Sequence, residues 1–136
     1  MTVFSWTPDM SVGVKAFDED HNHIIVLINE LNDAIHNGSS KNVLSKTIDE
    51  MVRYVNFHFR REEEAFKQTF YPGVEQQIKE HRAFAAHILR EMEEFYNNPK
   101  ESLPTEILNY LIAWWTNHIQ NEDQKYTAHL NANGIF

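Results

Sequence analysis

"VEQQIKEHRAFAAHILREMEEF", residues 74–95, is the most regular stretch of the chain. Val74, Ile78, His81, Ala85, Ile88, Met92 and Phe95 recur in alternating steps of four and three. That period puts them on one stripe of an α-helix and suits the shallow crossing angle of an antiparallel bundle. The stripe is apolar except at His81, and one helical turn earlier stands Gln77. Residues four apart share a helix face, so two histidines at this spacing could grip a metal ion together. Here only half of such a pair is present.

Three more stripes flank this one. Ile24, Leu27, Ile28, Leu31 and Ile35 precede "NGSSK"; Leu44, Ile48, Met51, Val55 and Phe59 precede "YPG". After "NNPKESLP" come Leu108, Leu111, Trp115, His118 and Glu122, with the pattern ending near Leu130. Asp18 is placed to cap the first helix, and Gly38 to end it before the serines start the next. No stretch alternates as a strand would, and no internal repeat is visible. The expectation is an all-α, antiparallel up-down-up-down four-helix bundle with an N-terminal arm over 1–17. Its helices span about 18–37, 40–70, 73–97 and 104–130 of a single domain covering 1–136.

Composition excludes several functions. With 136 residues, 42% hydrophobic and 12% aromatic, the chain can form one core. A formal net charge of −8 argues against sequence-independent nucleic-acid binding, which needs a basic face, and against docking on anionic lipid. The absence of cysteine removes disulfides, thiolate metal sites and cysteine nucleophiles. The longest apolar run, "YLIAWW", is too short to span a bilayer, and no signal peptide is visible. A cytoplasmic location with no membrane partner is the expectation; composition says nothing of oligomeric state.

Polar residues interrupt each apolar stripe. His58 and Glu62 lie four apart on the second helix, and His81 sits in the third stripe. His21 lies in line with Ile24, Ile25 and Ile28 on the first. On the fourth, with His118 as zero and about 100° per residue, Glu122 falls near 40° and Asp123 near 140°. A lone inward histidine is usually a hydrogen-bonded core residue. Four helices each offering one, two of them with a carboxylate as well, would bury too many polar groups without compensation. Metal ions are the economical explanation, and iron, zinc or manganese suits nitrogen with carboxylate oxygen. This number of ligands suits two bridged ions. His23 and His87 are rotated off the inward faces. His36 and His129 lie more than about 15 Å along their helix axes from the ligand candidates.

The chain resembles the hemerythrins in Trp6, "SVGVKAFDEDHNHII" (11–25), "HFRREEEAF" (58–66), "YP" with "EHRAF" (71–84) and "WWTNHIQNED" (114–123). The resemblance implies a non-haem diiron site with an oxo or hydroxo bridge. One iron would take His21 and His58, the other His81 and His118, with Glu62 and Asp123 bridging. The family has a further histidine where Gln77 stands, and Glu122 is acidic at a position usually apolar or neutral. Glu122 is therefore expected to bind the iron of His81 and His118, with Gln77 hydrogen-bonded nearby. The alternative is a solvated Glu122 paired with Lys125. Ile24, Phe59, Trp114 and Ile119 would wall a dry pocket for dioxygen, or for azide, nitric oxide or peroxide. The implied function is dioxygen binding for storage, delivery or sensing; the rivals are a diiron oxidase, peroxidase or nitric-oxide enzyme, and a metal store.

Overall fold

The structure, a computed structural model, describes residues 2–98, 100 and 102–136; Met1, Pro99 and Glu101, the last two in the expected break before the fourth helix, lie outside the described residues. Helix α1 spans Lys15–His36, α2 Lys41–Gln68, α3 Val74–Asn97, α4 Leu103–Asn117 and the short α5 Thr127–Ala132. Each long helix packs on its sequence neighbours, and α4 closes the ring against α1. The apolar stripes meet in one core, with Ile28, Leu31, Met51, Val55, Ile107, Leu111 and Trp115 fully buried.

Local chemistry sets the helix ends. The α1 terminus closes with Ser39 N bonded to Ala34 O at 3.0 Å and Gly38 N to Ile35 O at 3.1 Å, while Gly38 takes φ +67. Glycine supplies that left-handed turn without a Cβ penalty. Ser40 caps α2 by accepting from Val43 N. Helix α1 begins three residues earlier than the sequence reading places it, with Val14 at the cap. Asp18 instead accepts from Ser11 Oγ at 2.6 Å and Val12 N at 2.8 Å, tying the arm to the first turn of α1.

The arm is well anchored. Phe4, Met10, Val12 and Val14 are buried, and Asn29 bonds the backbone of Val3 and Phe4. Thr127 Oγ1 donates to Val12 O at 2.6 Å, and Asn131 Nδ2 to Gly13 O at 3.0 Å. Gly13 has φ +67, and a Cβ there would lie 2.5 Å from Thr127 Cγ2.

The fourth stripe differs from its expectation. It is not one helix over 104–130. After Asn117 the chain makes a π-helical turn over His118–Glu122, a 3-10 turn over Asp123–Tyr126, and then α5. Hydrophobic spacing tolerates such a widening, so the sequence pattern does not register it.

Candidate metal centre

Each of the four bundle strands of helix contributes one fully or almost fully buried imidazole: His21, His58, His81 and His118. Glu62 and Asp123, both wholly buried, lie among them. His58 Nε2 is 3.2 Å and His81 Nε2 3.4 Å from the same oxygen, Glu62 Oε1. Asp123 also reaches both sides, with Oδ2 3.3 Å from His21 Nε2 and Oδ1 3.0 Å from His118 Nε2. Ligand atoms of His21, His58 and Glu62 all lie within 4.8 Å of one another, and so do those of Glu62, His81 and His118. These are two sets of two histidines and one carboxylate, joined through Glu62.

The wide turn explains how Asp123 arrives. Its N–H bonds to His118 O, closing the chain between residues five apart. In an ordinary α-helix residue i+4 would lie over His118; here i+5 does. Asp123 is thereby swung into the cluster and Glu122 out of it. Glu122 Oε1 accepts from Lys125 Nζ at 3.0 Å, and its side chain is partly exposed. The expectation that Glu122 joins the His81 and His118 side is corrected by this placement; the ion pair with Lys125 is what forms. Gln77 is buried on that side, and its Nε2 donates to Asp123 Oδ1 at 3.1 Å.

Outer carboxylates orient the imidazoles. His58 Nδ1–H donates to Asp20 Oδ2 at 2.9 Å, His81 Nδ1–H to Glu63 Oε2 at 2.9 Å and His118 Nδ1–H to Glu80 Oε1 at 3.2 Å. A carboxylate can only accept, so each bond turns Nε2 toward the cluster. Asp20 also accepts from Tyr54 Oη at 2.9 Å and Arg61 Nη1 at 3.1 Å, and Tyr126 Oη donates to Glu62 Oε2 at 2.7 Å. None of these partners stands out by hydrophobic spacing. Asp20, Glu63 and Glu80 are each the immediate chain neighbour of a ligand candidate, which is the one signal that could have found them.

The buried imidazoles and carboxylates set one another's protonation. Burial opposes charging of His58, but Glu62 and Asp20 outweigh it and raise its pKa to about 10. Burial likewise opposes charging of His118, and Asp123 with Glu62 and Glu80 raises it to about 9. Burial pushes Glu62 upward, yet His58 and His81 hold it well below the usual carboxylate range. Even so, Glu62 Oε1, His81 Nε2, His118 Nε2, Asp123 Oδ2 and Gln77 Oε1 are buried without a hydrogen-bond partner. Ring nitrogens and carboxylate oxygens facing one another without hydrogen bonds are what iron, zinc or manganese would satisfy, in place of the protons. The donor set fits a pair of such ions.

Ile24 and Ile119 are wholly buried in the core. Phe59 stacks on His81 with ring centroids 3.8 Å apart, and Trp114 on His118 at 4.3 Å. Trp115, which the sequence reading treats only as core, lies 5.9 Å from His21 and 6.0 Å from His58 between ring centroids. The remaining histidines stay away from the cluster. His23 packs on Tyr54, His87 pairs with Glu91, His36 bonds Asn32 O and His129 bonds Thr69 O.

A four-helix bundle carrying paired histidine–carboxylate sets defines a bundle metalloprotein. The sequence profile of the Hemerythrin HHE cation binding domain matches residues 12–130, and the chain belongs to that family. It is 30% identical to a bacteriohemerythrin of Stenotrophomonas maltophilia over 96% of this chain and 86% of that one. It is 25% identical to a myohemerythrin of Theromyzon tessulatum, with 93% of each covered. A crystal structure of wild-type hemerythrin superposes with a TM-score of 0.87 at 23% identity, over 94% of this chain and 98% of that one. No helix among the described residues is long and apolar enough to cross a membrane.

Proposed function

We propose that the chain holds two iron ions side by side and binds dioxygen at the ion carried by His21 and His58, serving in storage, delivery or sensing in the cytoplasm. The second ion would be held by His81 and His118, with Glu62 and Asp123 shared between the two ions beside an oxo or hydroxo group. The observation that carries this reading is that Glu62 belongs to both sets of ligand atoms, which pairs the ions rather than isolating them. Bound iron would supply one-electron oxidation and reduction at each ion and a place for a small oxygen or nitrogen ligand.

The protein's own groups do the rest. Asp20, Glu63 and Glu80 keep the Nδ1 protons and aim the Nε2 lone pairs inward. Tyr126 fixes the orientation of Glu62. Trp115 packs beside His21 and His58, and the buried Ile24 and Ile119 would help to keep water from that side, where azide, nitric oxide or peroxide would compete with dioxygen. Phe59 and Trp114 hold the rings of His81 and His118 by stacking.

One observation favours a second reading, a diiron redox enzyme of the oxidase, peroxidase or nitric-oxide class. Gln77 stands where a third imidazole would otherwise complete the second ion. Anaerobic reduction followed by air separates the two. A visible band that forms with oxygen and vanishes on its removal supports binding. Irreversible bleaching with release of peroxide supports the enzyme. Absence of both band and iron removes both readings.

A further inference from the structure

The second metal position has fewer protein donors than its burial suggests. His81, His118 and Glu62 form a two-histidine, one-carboxylate set, to which Asp123 adds an oxygen near His118. Such a set leaves coordination positions open on iron. Beside it stands Gln77, 1% exposed. Its Nε2–H donates to Asp123 Oδ1, which fixes the amide: turned over, it would set two oxygens face to face. Its Oε1 is thus kept as a buried acceptor without a partner. Leaving an acceptor dry is costly, whereas an O–H donor at this place would satisfy it. A neutral amide oxygen competes poorly for iron beside anionic donors, but it is a full hydrogen-bond acceptor.

We infer that the second ion carries an exchangeable oxygen ligand, water or hydroxide, whose hydrogen is accepted by Gln77 Oε1, so that this ion as well as the first takes up small anions. The inference rests on the two-iron reading above and assigns the place that Gln77 opens. Azide has no hydrogen to offer. It must therefore displace the protic ligand and leave Oε1 unsatisfied, so it binds more weakly at the second ion than at the first.

Calorimetric titration of the oxidised protein with azide tests this, after elemental analysis has established two irons per chain. The native chain takes two azides, the second more weakly. Gln77→His fills the place with an imidazole and takes one. Gln77→Leu leaves the place open but removes the acceptor, so it takes two, the second roughly tenfold tighter than in the native chain. Less than two irons overturns the two-iron reading itself. Two irons with a single azide in the native chain overturns only the exchangeable place, since Gln77 or a bridging azide then closes the second ion. A second azide bound no more tightly by Gln77→Leu overturns the role given to the amide.

Discussion

Individual side chains in this centre divide by what they face. Asp20 never meets the inner cluster, yet it accepts the Nδ1 proton of His58 and is itself held by Tyr54 and Arg61. Removing its charge loosens the ring that presents Nε2 inward. Asp20→Asn should weaken metal binding about 10- to 100-fold, measured by competition with a chelator. Glu122 is the contrast. It lies next to Asp123 in sequence but pairs with Lys125, whose side chain is 62% exposed. An ion pair so open to solvent contributes little to stability. Glu122→Gln should leave metal affinity and reduction potential unchanged; a shift in either would return Glu122 to the site. The inward histidines and Glu62 are legible from their positions on the apolar stripes, and Asp123 from the resemblance to the hemerythrins. Asp20, Glu63, Glu80 and Tyr126 are not, because a hydrogen bond between helices leaves no period in the sequence.

Among the helices, the break after α4 matters most. Counting at about 100° per residue makes Glu122 the neighbour of His118 and leaves Asp123 at the edge. The π-helical turn reverses the two by closing between His118 and Asp123. Apolar spacing on either side is consistent with a continuous helix, so the four stripes and their packing can be read from sequence while this turn cannot. The start of α1 is misplaced for a related reason. Asp18 has the chemistry of a cap but uses it on Ser11 and Val12 of the arm. Gln120 is exposed within the wide turn, so its deletion tests the turn without touching the core. The shortened turn should close as ordinary α-helix, with Asp123 now four residues after His118 and so still over it. Helix content by circular dichroism and metal content should both persist; lost metal would show that the turn does more than set the register of Asp123.

The whole protein should show folding and metal binding responding oppositely to pH. In the metal-free chain, His58 and His118 have folded pKa values of about 10 and 9, above the ordinary 6.5. Their stabilisation is complete below about pH 6.5 and fades as pH rises through those values. Glu62, Asp123 and Asp20 are lowered from 4.5, 3.8 and 3.8, so their stabilisation is present above those values and lost on acidification. The metal-free protein should therefore be most stable near pH 5–6. Metal needs the Nε2 lone pairs that protons occupy, so its affinity should climb across the same range in which the metal-free fold weakens. Bound metal at free concentration c stabilises the fold by RT ln(1 + c/Kd), so the stabilisation grows as affinity rises. The gap between the melting temperatures of loaded and metal-free protein should widen from pH 6 to pH 9. A gap independent of pH would show that protons and metal do not compete for these imidazoles.

The paired centre depends on two metal positions meeting at Glu62. Iron per chain in protein produced with ample iron and freed of loosely bound metal measures this. The geometry predicts two irons in the native chain and almost none in Glu62→Ala, because one carboxylate serves both. A native chain that holds stably at one iron, or a Glu62→Ala chain that still holds two, would contradict it.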